Sequence, residues 1–395
     1  MNSHNPRIVL SNTYGHPNVG DEAILTSMIS VISESIRNVQ ITVLSRRPRV
    51  TEKNHPYVQV IHSGVIKGVL KTLRAIKDAD LLIIGGGGII QDSTSLGNLL
   101  FHLSRPLIAW LCRTPFVCYS LGVGPLRTKV ARFLVSLILR KAIHITVRDQ
   151  SSGDLLSQIG IPPRRVRCTA DPAFLLKYPK DPLENIMYRK IYRLKQQGKP
   201  VVGISLRPFT STYNLLGHGS YEKNYGKLPD IMVDVSKFLI DEIDANFVFF
   251  SMHPEQDDVL GELFLKNIDD PDRSVFVPGS LSPAEMLSAI GLSDLFIGMR
   301  LHALIFASMS LVPLIALSYQ PKVEGVMKLL GQEDYIVQPP KWNVENLVTM
   351  VRKAWDKRIS IKSEIGLRIP SLQDNAWEDV ESIVSILKNS HRLKK

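Results

Sequence analysis

Arg300, His302 and Lys322 stand close together in an otherwise apolar stretch, and their types suit one task. An arginine fork grips a planar carboxylate or phosphate, a lysine supplies a point charge, and an imidazole moves protons near neutral pH. Arg300 and His302 follow Asp294-Leu295-Phe296-Ile297, which reads as a short buried strand, with Gly298 as its turn. They precede Ala303 to Met309, whose small residues predict a helix packed on one face. Lys322 leaves a second buried strand, Val312 to Leu317, through the loop Ser318-Tyr319-Gln320-Pro321. In an open parallel sheet both positions open on the carboxyl edge, where ligands bind and helix N-termini favour anions. Each residue alone would ordinarily be solvated or structurally satisfied. Three on one edge argue for an anion site with acid–base chemistry beside it.

Other strand ends offer further candidates. Arg148 closes the strand Ile143 to Val147, where a pairing with Asp149 or a helix cap is the competing reading, and Arg207 closes Val201 to Leu206. The buried strand Leu81 to Ile84 runs into Gly85-Gly86-Gly87-Gly88 and then Ile89-Ile90-Gln91-Asp92. Successive glycines cost backbone entropy and pack nothing, so a close approach to the backbone is expected there, and a ligand is the favoured cause. Asp92 at the rim could accept a hydroxyl proton. Near the start, Ile8-Val9-Leu10 leads into a loop with Gly15, Asn18, Gly20, Asp21 and Glu22. This loop could bring backbone N–H groups to a ligand, although it is neither GxGxxG nor a Walker loop. Asp21 and Glu22 equally suit a helix start.

The elements that must hold these residues follow from length and pattern. At 395 residues the chain exceeds one ordinary core, and strands alternate with helices in both halves. The expected architecture is α/β, with two doubly wound Rossmann-like domains facing across a cleft. Their expected spans are 1–180 on the acceptor side and 181–370 on the donor side, followed by a C-terminal helix and basic tail over 371–395. The polar, proline-bearing Tyr178 to Pro182 marks the boundary, Ser211 to Leu228 reads as a long mobile loop, and Trp377 to Lys388 as the last helix. A net charge of +11 favours anionic partners. Aromatic and basic residues do not interleave as single-strand binders require, so no nucleic acid is expected. Cys112, Cys118 and Cys168 read as core, and no metal-ligand spacing is present. The polar N-terminus and the short apolar runs predict a cytoplasmic protein, peripheral at an anionic membrane surface.

Taken in order, NVGDEAIL (Asn18 to Leu25), the tetraglycine with Gln91-Asp92, VRD (Val147 to Asp149), ADPAF (Ala170 to Phe174), SLRP (Ser205 to Pro208), MHPEQD (Met252 to Asp257), GMRLHALIFA (Gly298 to Ala307) and SYQPK (Ser318 to Lys322) form a recognisable set. With them the chain resembles the polysaccharide pyruvyl transferase family, from Arg7 to about Lys388. It is most similar to bacterial members that pyruvylate the secondary cell wall polymer anchoring surface-layer proteins. The resemblance implies a GT-B-like fold, phosphoenolpyruvate as donor and no cofactor. It implies as acceptor a lipid-linked disaccharide diphosphate containing N-acetylmannosamine. It carries over Arg148, Arg300, His302 and Lys322, with Arg207, as donor-binding residues. His302 is then the catalytic acid, with Asp92 or Asp21 as the base for the sugar hydroxyl, and Asn18, Asp21, Gly86, Gly87 and Gly88 fall to the acceptor. Phe209 stands where many relatives have tryptophan. Two other functions share these features: a GT-B glycosyltransferase using a nucleotide sugar, and a non-catalytic protein binding an anionic glycan.

Overall fold

The computed structural model describes residues 5–64, 68–93, 95–208, 228–268 and 270–393, with backbone alone for 389–393. The chain divides into two units: Met1–His16, Asp21–Leu176 and Leu372–Lys395 form the first, Pro17–Gly20 and Lys177–Ser371 the second.

In the first unit the strands are β1 (Arg7–Ser11), β2 (Gln40–Ser45), β3 (Gln59–His62), β4 (Leu81–Ile90), β5 (Phe116–Val123), β6 (His144–Val147) and β7 (Val166–Cys168). Among the described residues they form one parallel sheet in the order β3-β2-β1-β4-β5-β6-β7, with Ile8 between Ile41 and Leu81. Such strands are covered on both faces, which is why they read as continuous apolar runs. The connecting helices are α1 (Val19–Ser35), α2 (Pro48–Asn54), α3 (Val69–Asp78), α4 (Leu96–Leu111), α5 (Lys129–Leu139) and α6 (Gln150–Gln158). Right-handed crossovers in this order send α1 and α2 to one face of the sheet and α3, α4 and α5 to the other. Ile76, Leu103 and Val135, one from each of the latter three, share a core cluster with Leu82 and Phe116.

Two expectations fail here for identifiable reasons. The tetraglycine does not follow the strand Leu81 to Ile84 but lies inside β4, with φ +143° at Gly85 and +73° at Gly86. A Cβ on Gly85 would stand 2.1 Å from the Tyr119 carbonyl oxygen, and one on Gly86 2.2 Å from the Ile24 side chain. The close approach there is by β5 and α1, so these two glycines are explained by the protein's own packing. Cys168 is exposed and Cys112 half-buried; only Cys118 is core. Cys168 lies on β7, an edge strand of the sheet among the described residues.

The second unit repeats the plan with β8 (Val201–Ser205), β9 (Asn246–Phe250), β10 (Ser274–Val277), β11 (Leu295–Gly298), β12 (Leu314–Leu317) and β13 (Ile336–Val337). Their order is β10-β9-β8-β11-β12-β13, all parallel among the described residues. Phe209 and the expected loop from Ser211 lie outside the described residues up to Leu228, which begins the helix Leu228–Ile243.

The final helix is far longer than the expected Trp377 to Lys388: it runs Arg358–Leu393 with Pro370 inside it. Ile361, Ile365, Ile369, Leu372, Ala376, Val380, Ile383 and Leu387 are buried along it at helical spacing. In its first-unit portion Asp379 is buried and accepts hydrogen bonds from the hydroxyls of Thr146, 2.9 Å, and Thr169, 2.8 Å. No helix among the described residues is long and apolar enough to cross a membrane.

Candidate functional site

In the second unit, neighbouring strands β11 and β12 deliver their following residues to one sheet edge. Arg300 is the N-cap of the helix Leu301–Met309, and Lys322 lies in the first turn of the helix Pro321–Leu329 rather than in a loop. Proline at the first helical position, with its fixed φ, starts that helix one residue before the lysine. A cation at a helix N-terminus opposes the helix dipole by about 0.3–1 kcal/mol, so two such positions on one edge make sense where an anion comes to both.

Arg300 is held rigidly. Its Nε donates to Asp257 Oδ2 at 3.0 Å, and its Nη2 donates to Gln256 Oε1 at 3.0 Å and to Asp257 Oδ1. Asp257 is fully buried and also accepts the backbone N–H groups of Met252, 3.1 Å, and His253, 3.0 Å. One carboxylate therefore fixes both the start of the helix Pro254–Ile268 and the guanidinium, while the Nη1 hydrogens of Arg300 are not used by these bonds. The Met252-to-Asp257 segment contains this support, but no residue in it was singled out from sequence.

Arg207 donates from Nη1 to the Tyr319 hydroxyl at 2.9 Å, and the Lys322 Nζ stands 5.7 Å from the Tyr319 ring centre. Burial pushes the Tyr319 phenol up, but the positive charges of Lys322, Arg207 and Arg300 outweigh it and hold the pKa down at about 7. The structure thus gathers Arg207, Arg300 and Lys322 about a tyrosine that sequence reasoning passed over. Its signal was its place between two site residues in SYQPK.

His302 occupies the first turn of its helix, half-buried. Gly20, which belongs to this second unit, explains itself against it: a Cβ there would lie 2.0 Å from His302 Nδ1. The glycine is needed so that the imidazole can lie against the backbone. The expectation that this loop offers free N–H groups to a ligand fails at two positions. The Val19 N–H donates to the Met252 carbonyl at 3.0 Å, and the Gly20 N–H to Asn18 Oδ1 at 2.9 Å. Asn18 is thereby engaged at the start of α1.

The first unit holds the remaining candidates. Arg148 is buried, and its Nη1 donates to Asp171 Oδ2 at 2.9 Å, whereas Asp149 Oδ2 stands 3.9 Å from its Nε. Asp149 instead caps α6 through the Ser152 N–H at 2.8 Å. Among the described residues the Arg148 Nε has no hydrogen-bond partner, a cost for a buried donor. Gly88, exposed at the far end of the tetraglycine, would place a Cβ 3.4 Å from Arg148 Nη2. Gly87 is buried against Asn12, whose Nδ2 donates to the Gly86 carbonyl at 3.1 Å. Asp21 accepts from the Thr13 hydroxyl at 3.1 Å.

Asp92 is a correction. Its carboxylate accepts from the Arg127 and Thr128 N–H groups, both at 2.8 Å, and from the Thr128 hydroxyl at 3.0 Å. Partial burial raises its pKa, but these hydrogen bonds outweigh that and leave it below the usual carboxylate value. It braces the turn before α5 and is poorly suited to take a proton.

Residues 18–321 match the family model for polysaccharide pyruvyl transferase. The amylovoran biosynthesis protein AmsJ of Erwinia amylovora is 22% identical over 367 residues, covering 82% of this chain and 86% of that one. Among solved structures, S. aureus MnaA with UDP superposes with TM-score 0.66 at 14% identity, covering 99% of this chain and 98% of the other. Anabaena Alr3699/HepE with UDP-glucose gives 0.57 at 16% identity, covering 98% of both chains. At these identities the structural likeness bears on fold: two parallel-sheet α/β units of the GT-B type.

Proposed function

Since this chain belongs to the polysaccharide pyruvyl transferase family, we propose that it transfers the pyruvyl group of phosphoenolpyruvate to two hydroxyls of a sugar, forming a cyclic ketal and releasing phosphate. The acceptor in this reading is N-acetylmannosamine of a lipid-linked disaccharide diphosphate, met at the membrane's inner face. The observation that carries the reading is the convergence of Arg207, Arg300 and Lys322 about Tyr319, with His302 on the same helix turn as Arg300. Phosphoenolpyruvate places a phosphate and a carboxylate on three carbons, and several fixed cations at one edge match that charge.

The chemistry needs a proton delivered to carbon and one removed from oxygen. His302 protonates the methylene carbon, which makes the adjacent carbon electrophilic. The first sugar hydroxyl adds there and gives its proton to the Tyr319 phenolate, the role for which Asp92 is unsuited. Phosphate then leaves with the C–O bond electrons and takes up the Tyr319 proton, and the second hydroxyl closes the ring, its proton passing to His302. Arg207, Arg300 and Lys322 hold the donor and stabilise the departing phosphate.

The test is mass spectrometry of a lipid-linked disaccharide analogue incubated with phosphoenolpyruvate. Addition of a pyruvate ketal with matching release of inorganic phosphate is expected. Sugar transfer from a nucleotide donor in place of ketal formation would reassign the enzyme to glycosyl transfer.

A further inference from the structure

The first unit presents an outward face that this chemistry does not use. Helices α3, α4 and α5 turn their inner residues to one core, yet on their outer sides Leu70 is 71% exposed, Leu111 68% and Phe133 65%. Leu107 and Trp110 on α4 and Leu137 on α5 are exposed with them. Phe133 and Leu137 lie one turn apart, as do Leu107 and Leu111, so each helix offers an apolar stripe. The Lys141 Nζ stands 5.1 Å from the Trp110 ring centre, which joins the end of α4 to the turn after α5. Arg132 and Arg140 flank Phe133 and Leu137 around a surface depression of about 500 Å³.

The charge of this region is one-sided. Between Asp92 and Asp149 the sequence contains no aspartate or glutamate, while Arg113, Arg127, Lys129, Arg132, Arg140 and Lys141 are all exposed there. Extended exposed apolar surface marks an interaction site, and a cationic border selects what can cover it. A second copy of the chain, paired through the same face, would set these cations against themselves, with Asp78 at the end of α3 the single carboxylate that the three helices carry.

We propose that the α3–α4–α5 face docks the enzyme on an anionic phospholipid surface. The leucine, phenylalanine and tryptophan side chains enter the headgroup boundary, and the arginines and lysines extend to the lipid phosphates. The inference rests on the reading of a lipid-linked acceptor, because an enzyme held at the bilayer meets such an acceptor where it is anchored.

The experiment is sedimentation of the full chain with vesicles of phosphatidylcholine and phosphatidylglycerol, against vesicles of phosphatidylcholine alone. Binding to the anionic vesicles, weakened by salt, is expected. A Trp110→Ser/Phe133→Ser/Leu137→Ser variant and, separately, an Arg113→Glu/Lys129→Glu/Lys141→Glu variant should each bind at least about tenfold more weakly. Both should keep the melting temperature and the turnover on a water-soluble acceptor. Wild-type protein that ignores anionic vesicles, or variants that bind them unchanged, would overturn the docking face without touching the transferase reading. A wild-type dimer that these substitutions split would assign the face to self-association and equally sink the proposal. Absence of ketal formation on the soluble acceptor would instead sink the transferase reading and leave the vesicle result standing.

Discussion

At the scale of single residues, two of the candidate cations are tied to buried carboxylates. Arg300 shares a buried carboxylate with two backbone N–H groups, and Arg148 shares Asp171, so each is partly a structural residue. His302 is the narrower case. If it protonates carbon, His302→Ala should cut kcat by about two to four orders of magnitude while donor affinity stays within a few-fold, and His302→Gln should do no better. Gly20→Ala supplies an independent check, because its methyl group would occupy the imidazole's place. We expect it to lower kcat at least tenfold with His302 intact; unchanged turnover would show that the observed imidazole position is irrelevant to chemistry. Tyr319 carries the pH dependence. Its pKa of about 7 means that the free enzyme holds the phenol below that pH and the phenolate above it. As a base it must be deprotonated, so kcat/KM should carry a limb that ascends with pH through about 7, and Tyr319→Phe should lose that limb. A Tyr319→Phe enzyme with a wild-type profile would remove the residue from proton transfer.

At the scale of elements, the strands were legible because covered parallel strands are short apolar runs, and Leu81 to Ile84 or Leu314 to Leu317 can hardly be anything else. What was illegible depended on neighbours distant in sequence. The tetraglycine looked like a ligand's approach to the backbone because nothing local shows that Tyr119 and Ile24 crowd Gly85 and Gly86. Asp92 looked like a base because its partners lie beyond a whole helix, at Arg127 and Thr128. The last helix is longer than its amphipathic end at Trp377 to Lys388 suggests, because buried positions continue from there through Pro370 back to Ile361.

That helix carries its own pH dependence. Burial raises the Asp379 pKa to about 7, with the Thr146 and Thr169 hydroxyls opposing only in part. A carboxyl whose folded pKa exceeds its unfolded one stabilises fully below the unfolded value, near 4, and loses that contribution as pH rises through about 7. The loss corresponds to on the order of 4 kcal/mol. The wild-type melting temperature should therefore fall between pH 4 and 7 by more than that of Asp379→Asn, which cannot ionise. Parallel pH curves for the two proteins would show that the carboxyl titrates normally.

At the scale of the whole molecule, one net positive charge serves two separable surfaces: a cluster at the sheet edge of the second unit and a broad cationic face on the first. The edge cluster was readable in advance because strand ends, glycine turns and basic residues coincide in the sequence. Its tyrosine and its buried aspartate were not, since neither type announces itself as a companion of cations. The distinction between binding and holding then fixes the donor experiment. Phosphoenolpyruvate should raise the melting temperature of wild-type protein in a concentration-dependent way, because it binds only the folded state. Lys322→Ala removes a cation from the first turn of its helix, where it opposes the dipole, so the donor-free melting temperature should hold and the donor-induced rise should largely vanish. Arg300→Ala behaves differently: it strands the buried Asp257, and breaking such a pair costs about 3–5 kcal/mol, so the donor-free melting temperature itself should drop. Arg300→Ala/Asp257→Asn should recover part of that stability without recovering the donor response. A full donor-induced rise in both Lys322→Ala and the double variant would place the donor away from this edge.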